Sequence, residues 1–236
     1  MLLEDKKMKV MSFNTQHCLN YLTREIDYNV MAEAILAQSP DIVGLNEMRS
    51  DGEGSEWPNQ TARLSELTGM EHYYFAQAIN EGGPYGNGFL SKIPILSAET
   101  ILVPEPEGKK EPRYEQRCLL KVRLENGITV LVIHVGLSDP EKLKAVETII
   151  NNLPDERVVL MGDFNMEPDC PMLAPIRERL YDTAELFGEE KLSWPSVEPK
   201  VKIDYVFVGR DLLVESADIP PIVASDHRPY VAEIKA

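Results

Sequence analysis

Polar residues able to do chemistry stand at the ends of apolar, strand-like runs along this sequence of 236 residues. "KVMSFN" ends in Asn14, "DIVGLNEM" carries Glu47, "LVIHVGL" carries His134, and "RVVLMGDFN" ends in the Asp163/Asn165 pair. Asp204 lies inside "KIDYVFV", and "SDHRP" holds Asp226 and His227. Site residues collect where rigid strands hand over to loops. A carboxylate that interrupts an apolar strand, as Asp204 does, needs a partner. A histidine is the obvious one, since the pair fixes the ring tautomer and raises its basicity. Asp163 and Asn165, two apart in an extended segment, share one face. Carboxylate oxygens suit a hard cation such as Mg2+ or Mn2+, an imidazole titrates near neutrality, and amide donors suit phosphate oxygens. Together they fit hydrolysis at phosphorus. Each residue alone has a plainer reading: Asn14 as a turn former, Glu47 as a solvated strand end, His134 as a hydrogen-bonded core histidine, and Asp226-His227 as a polar turn before Pro229.

Alternating strand and helix patterns must hold these groups. Between the strands Lys9 to Asn14 and Asp41 to Met48, "YNVMAEAILAQS" shows a helical period that stops before Pro40. A second helix is expected over Gln60 to Leu67, and a glycine-rich loop over "EGGPYGNG", Glu81 to Gly88. "VPEPEGKKEPRYEQ" reads as an exposed flap. "RCLLKVRL" and "ITVLVIHV" form a hairpin through Asn126-Gly127. A helix across Glu141 to Asn151, the buried strand "RVVLMGDFN", a loop-rich stretch and three further strands complete one mixed α/β domain.

Composition narrows the function. A net charge of −15 disfavours tight binding to duplex DNA, which draws most of its affinity from Lys and Arg on phosphates. Three widely spaced cysteines suggest neither a disulfide framework nor a zinc site. No apolar run has the length of a signal-peptide core or a membrane span, so a soluble cytoplasmic protein with no membrane span is expected.

In order and spacing, "MSFNT", "PDIVGLNEM", "YGNGFLSKIPI", "EQRCLLKV", "VIHVGL", "GDFNMEP", "LSWPS", "KIDYVFV" and "SDHRP" resemble the endonuclease/exonuclease/phosphatase superfamily of DNase I-like phosphoesterases, from residue 11 to residue 229. The resemblance implies a four-layer sandwich of two packed, mainly antiparallel sheets flanked by helices. It implies Glu47 as principal Mg2+ (or Mn2+) ligand, with Asn14 and Asp226 close to the metal. His227 would be the general base or stabilise the pentacovalent state, Asp204 would orient it, and Asp163 and Asn165 would position the water and the phosphate. His134 stands where some branches keep a second histidine. Asn87, Arg117 and Trp194 match substrate-contacting positions. Two departures stand out: "LNE" replaces the commoner "LQE", and "VIHVGL" lacks the usual threonine, which removes a supporting hydrogen bond. The substrate implied is a phosphoester, most simply a phosphodiester. A nuclease of the same superfamily and a catalytically silent binding module are the alternatives, the latter disfavoured because every principal position is filled by a competent side chain.

Overall fold

The computed structural model describes residues 7–80, 82–107 and 114–235; the middle of the expected flap, 108–113, lies outside the described residues. One sheet comprises β1 (Lys7–Asn14), β2 (Ile42–Arg49), β3 (His72–Asn80), β4 (Pro84–Ser91), β11 (Leu213–Asp218) and β12 (Tyr230–Lys235), in the order β11-β12-β1-β2-β4-β3. The other comprises β5 (Ile95–Leu102), β6 (Cys118–Leu124), β7 (Thr129–His134), β8 (Val158–Asp163), β9 (Leu180–Asp182) and β10 (Asp204–Gly209), in the order β5-β6-β7-β8-β10-β9. The β1/β2 and β7/β8 pairs are parallel and the other neighbouring pairs antiparallel.

Period-two alternation explains the layering. In β8, Val159 and Met161 enter the core between the sheets, whereas Val158 and Leu160 face the outer core with Ala145 and Ile149 of α3 (Asp139–Asn152) and Ile176 of α4 (Ala174–Arg179). In β1 and β2, Val10 and Ile42 face inward. Met11, Phe13, Val43 and Leu45 pack outward on Met31 and Ile35 of α1 (Tyr28–Gln38) and Leu64 of α2 (Gln60–Thr68). Central strands buried on both faces read as continuous apolar runs, and this is the four-layer sandwich expected.

Two elements differ from expectation. Of the glycine-rich segment, Glu81 lies outside the described residues and only Gly82 and Gly83 are loop; from Pro84 it is β4, between β2 and β3. Its glycines serve close approach, since a Cβ on Gly86 would lie 2.0 Å from the Ala76 carbonyl oxygen. β3, which no sequence pattern had marked, is a half-exposed edge strand and so lacks an unbroken apolar run.

Lys202 is buried just before β10, its Nζ 3.1 Å from the Tyr205 ring centroid and without a hydrogen-bond partner. Burial lowers its pKa to about 7, against the pull of Asp182 and Asp204. The unfolded chain binds this proton up to pH 10.5 and the folded chain only to about 7, so stability rises with pH across that window. Lys202→Met is expected to raise stability near neutral pH by about 4–5 kcal/mol, from roughly 1.4 kcal/mol per pKa unit. It should also abolish the rise between pH 7 and 10, as read by urea denaturation at a series of pH values.

Candidate functional site

Strand register assembles the site before any side chain is considered. His134 of β7 and Asp204 of β10 flank Asp163 of β8 as direct neighbours, one row across the end of a sheet. In the other sheet Asn14 of β1 pairs with Asn46 of β2. Beyond Asn46 the register with β4 breaks: Leu45 opposes Gly88 and Met48 opposes Gly86, so Asn46 and Glu47 together face Asn87. Such a bulge re-aims a side chain. Glu47 takes a left-handed backbone, φ 61°, a conformation held only where the surroundings dictate it.

Asn14 joins the two sheets. Its Nδ2 donates to Glu47 Oε1 at 3.0 Å and to Asp163 Oδ2 at 3.1 Å. Asn46 is a second tie: its Nδ2 donates to Asn87 Oδ1 and the Ile133 carbonyl, and its Oδ1 accepts from the Asp163 N–H. The "LNE" departure therefore supplies an amide whose oxygen and nitrogen are both used in fixing the strands that carry Glu47 and Asp163. Asn87 is buried in the same network and donates to the Cys118 carbonyl at 2.9 Å.

The imidazoles are held in opposite ways. His227 Nδ1 donates to Asp204 Oδ2 at 2.8 Å, and its Nε2 lies 3.6 Å from Asp163 Oδ2. His134 Nδ1 accepts from Arg117 Nη1 at 2.8 Å, which puts the ring proton on Nε2, 3.5 Å from the same Asp163 oxygen. Arg117 thus supplies a hydrogen bond to a histidine that lacks the usual neighbouring threonine. It also pairs with Glu115 at 2.8 Å. Asp226 is half-buried and accepts from Ser225 Oγ and, at 3.4 Å, from the exposed Trp194 Nε1.

One local expectation fails. Asp163 and Asn165 do not share a face of an extended segment, because Asp163 Oδ1 accepts from the Asn165 N–H and closes a turn with Asn165 at φ 49°. The Asn165 side chain instead donates to the Val135 carbonyl at 2.9 Å, securing the loop after β7.

Burial dominates the electrostatics. It raises the Asp163 carboxyl to about 7, and it raises Glu47, which the Asp226 charge raises further while Asn14 opposes. Burial opposes charging of His227, but Asp204 and Asp163 outweigh it and lift the ring to about 10. Burial, Arg117 and His227 hold His134 well below its ordinary value, so it is neutral.

Four carboxylates thus converge with one imidazolium, and Asp204 Oδ1 is buried without a hydrogen-bond partner. This donor set fits a hard divalent cation. Asp163, Asp204 and His227 place ligand atoms within 4.8 Å of one another and could hold a metal; the 2.8 Å bond commits His227 Nδ1 to Asp204 Oδ2, so the unpartnered oxygen of that set is Asp204 Oδ1.

Residues 11–227 match the Endonuclease/Exonuclease/phosphatase family, and the chain belongs to it. Members of this family are phosphoester hydrolases, generally dependent on a divalent metal. An endonuclease/exonuclease/phosphatase from Beutenbergia cavernae superposes with a TM-score of 0.79 at 23% identity, over 98% of this chain and 72% of that one. A Bacteroides thetaiotaomicron mannosyl-6-phosphatase gives 0.73 at 15%, over 96% and 99%, and truncated Caenorhabditis elegans TDP2 gives 0.67 at 16%, over 98% of each chain. No curated protein matched the sequence. Among the described residues, no helix is long and apolar enough to cross a membrane.

Sequence reasoning noted Asn46 only as the "LNE" departure and gave it no role, and it missed Gln60, which is fully buried and links the Arg49 N–H to the His17 carbonyl. It also missed Tyr85, whose ring lies 4.7 Å under the Arg49 guanidinium. A polar residue in an otherwise buried strand was the available signal for Asn46.

Proposed function

We propose that this chain is a divalent-metal-dependent hydrolase, using Mg2+ or Mn2+, that cleaves a phosphoester, foremost a phosphodiester, by in-line attack of water. The observation that carries this reading is the convergence of His227, His134 and Asn14 on one Asp163 oxygen at 3.1–3.6 Å. Glu47, with Asn14 and Asp226, would hold the cation, which when bound neutralises phosphate charge and assists the leaving group. Asp163, raised to about 7, is poised to take the proton from the attacking water near neutral pH. His227, raised to about 10 and held by Asp204, serves as an imidazolium that stabilises the charge of the pentacovalent state, which favours that role over general base. Neutral His134 offers its Nε2–H to a phosphate oxygen. Asn165 steadies the turn that aims Asp163, Arg117 steadies His134, and Asn87 supports the floor beneath Glu47 through Asn46.

The fold also serves nucleases, but the acidic balance of the chain argues against tight duplex binding. Hydrolysis of bis(p-nitrophenyl) phosphate is expected to need added Mg2+ or Mn2+ and to stop with EDTA. Activity that survives the chelator overturns the metal assignment, and nicking of supercoiled plasmid at modest protein concentration favours the nuclease.

A further inference from the structure

β2 runs on past its neighbour. β1 stops at Asn14, opposite Asn46, and beyond it the Thr15 N–H donates to the Asn46 carbonyl at 3.2 Å, whereas β2 continues to Arg49. The overhang holds the bulge and its left-handed Glu47. Backbone groups on an overhang have no strand beside them and must be paired by something else.

Gln60 supplies that partner at Arg49. It is the first residue of α2, whose start is fixed by Asn59 Oδ1 accepting from the Ala62 N–H at 2.9 Å. The same end of the helix is seated closely on the sheet, since a Cβ on Gly88 of β4 would lie 2.7 Å from Thr61 Oγ1. The Gln60 side chain is fully buried; its Oε1 accepts from the Arg49 N–H and its Nε2 donates to the His17 carbonyl, each at 2.8 Å. An amide that accepts from one segment and donates to the next stands in for a peptide group, here where the chain after β1 has turned away through left-handed Gln16, His17 and Cys18. Arg49 lies two residues after Glu47, and His17 three after Asn14.

We infer that Gln60 is a positioning residue for the cation-holding groups: by tying Arg49 to the His17 carbonyl it keeps the bulge in the form that brings Glu47 Oε1 to Asn14 Nδ2 at 3.0 Å. The inference rests on the reading of Glu47 as a cation ligand and adds to that site a residue that touches neither cation nor substrate. Removing a hydrogen-bond partner that stands behind metal ligands costs about 10–100-fold in metal affinity.

Mn2+ binding to the metal-free chain, followed by loss of the free ion's electron paramagnetic resonance signal, reads this without turnover. Gln60→Met, similar in shape but unable to bond either backbone group, should weaken Mn2+ binding about 10–100-fold. Gln60→Asn, whose amide falls one methylene short, should weaken it as well and serves if the methionine variant does not fold. Leu64→Ala, one turn along the same helix, opens a cavity in the core and breaks no bond to β2; it should lower the melting temperature and leave Mn2+ affinity unchanged. In hydrolysis of bis(p-nitrophenyl) phosphate the Gln60 variants should need more Mn2+ by the same factor and regain the wild-type kcat once it saturates. Wild-type affinity in the Gln60 variants, an equal loss in Leu64→Ala, or a kcat that stays low at saturating Mn2+ overturns the inference. Glu47→Gln checks the reading beneath it. Undiminished Mn2+ binding in Glu47→Gln sinks the metal assignment of Glu47, whereas binding lost there and intact in Gln60→Met sinks this inference alone.

Discussion

His227→Ala is expected to lower kcat for a phosphodiester roughly 10²–10⁴-fold, the range associated with loss of a positioned acid, base or charge donor. KM should change little, because the ring stabilises charge that develops only on the way to the transition state. Its geometry is set from behind: Asp204 fixes Nδ1 at 2.8 Å, and the register of β8 with β10 sets that carboxylate directly beside Asp163. Asp204→Asn should therefore lose activity on a comparable scale, and the double variant should fall little further, since the pair acts as one unit. Single losses that multiply in the double variant would show independent roles and refute the dyad. Removing the imidazolium also leaves Asp204 and Asp163 buried together, a cost of about 3–5 kcal/mol. Rates must therefore be read well below the lowered melting temperature, with far-ultraviolet dichroism confirming the fold.

How far the site could be read before the structure depended on which interactions are local. Strand ends are local, so Asn14, Glu47, His134, Asp163 and Asp204 stood out as polar terminations of apolar runs, and β7, β8 and β10 do bring three of them into register. The Asp204 partner was also legible, because a buried carboxylate demands one and histidines are scarce. The bulge that re-aims Glu47 was not. It arises from two β2 residues facing one of β4, and β4 itself was hidden because its glycines, selected for close backbone approach, look like loop. The contact Arg117 makes was hidden for a related reason: its bond to His134 reaches across to the next strand, whereas its bond to Glu115 is local.

Asp163→Asn should silence the enzyme and yet stabilise the metal-free protein. Activity is lost because the amide cannot accept the proton of the attacking water. Stability has a separate cause. Burial, the strongest influence on Asp163, lifts its pKa from 3.8 to about 7 against the opposing charge of His227. The folded state then holds a proton that the unfolded chain releases near pH 4. The stability this proton contributes is complete below pH 4 and is lost as pH rises through 7. At pH 8 the ionised wild-type residue carries the full penalty, about 4 kcal/mol at roughly 1.4 kcal/mol per unit. Asparagine removes that penalty but keeps one acceptor where the carboxylate used two, for Asn165 and Asn14, which returns about 1 kcal/mol, and it withdraws a charge from His227. A net gain of about 1–3 kcal/mol at pH 8 is expected, or roughly 2–12 °C in melting temperature for a chain of this size. The sign should depend on pH: with EDTA present, the variant's advantage shrinks as pH falls and vanishes or reverses near pH 4–5, where wild-type Asp163 is neutral as well. A constant advantage across pH 5–8 would assign the gain to repacking, and no gain at pH 8 would mean that His227 already offsets the buried charge.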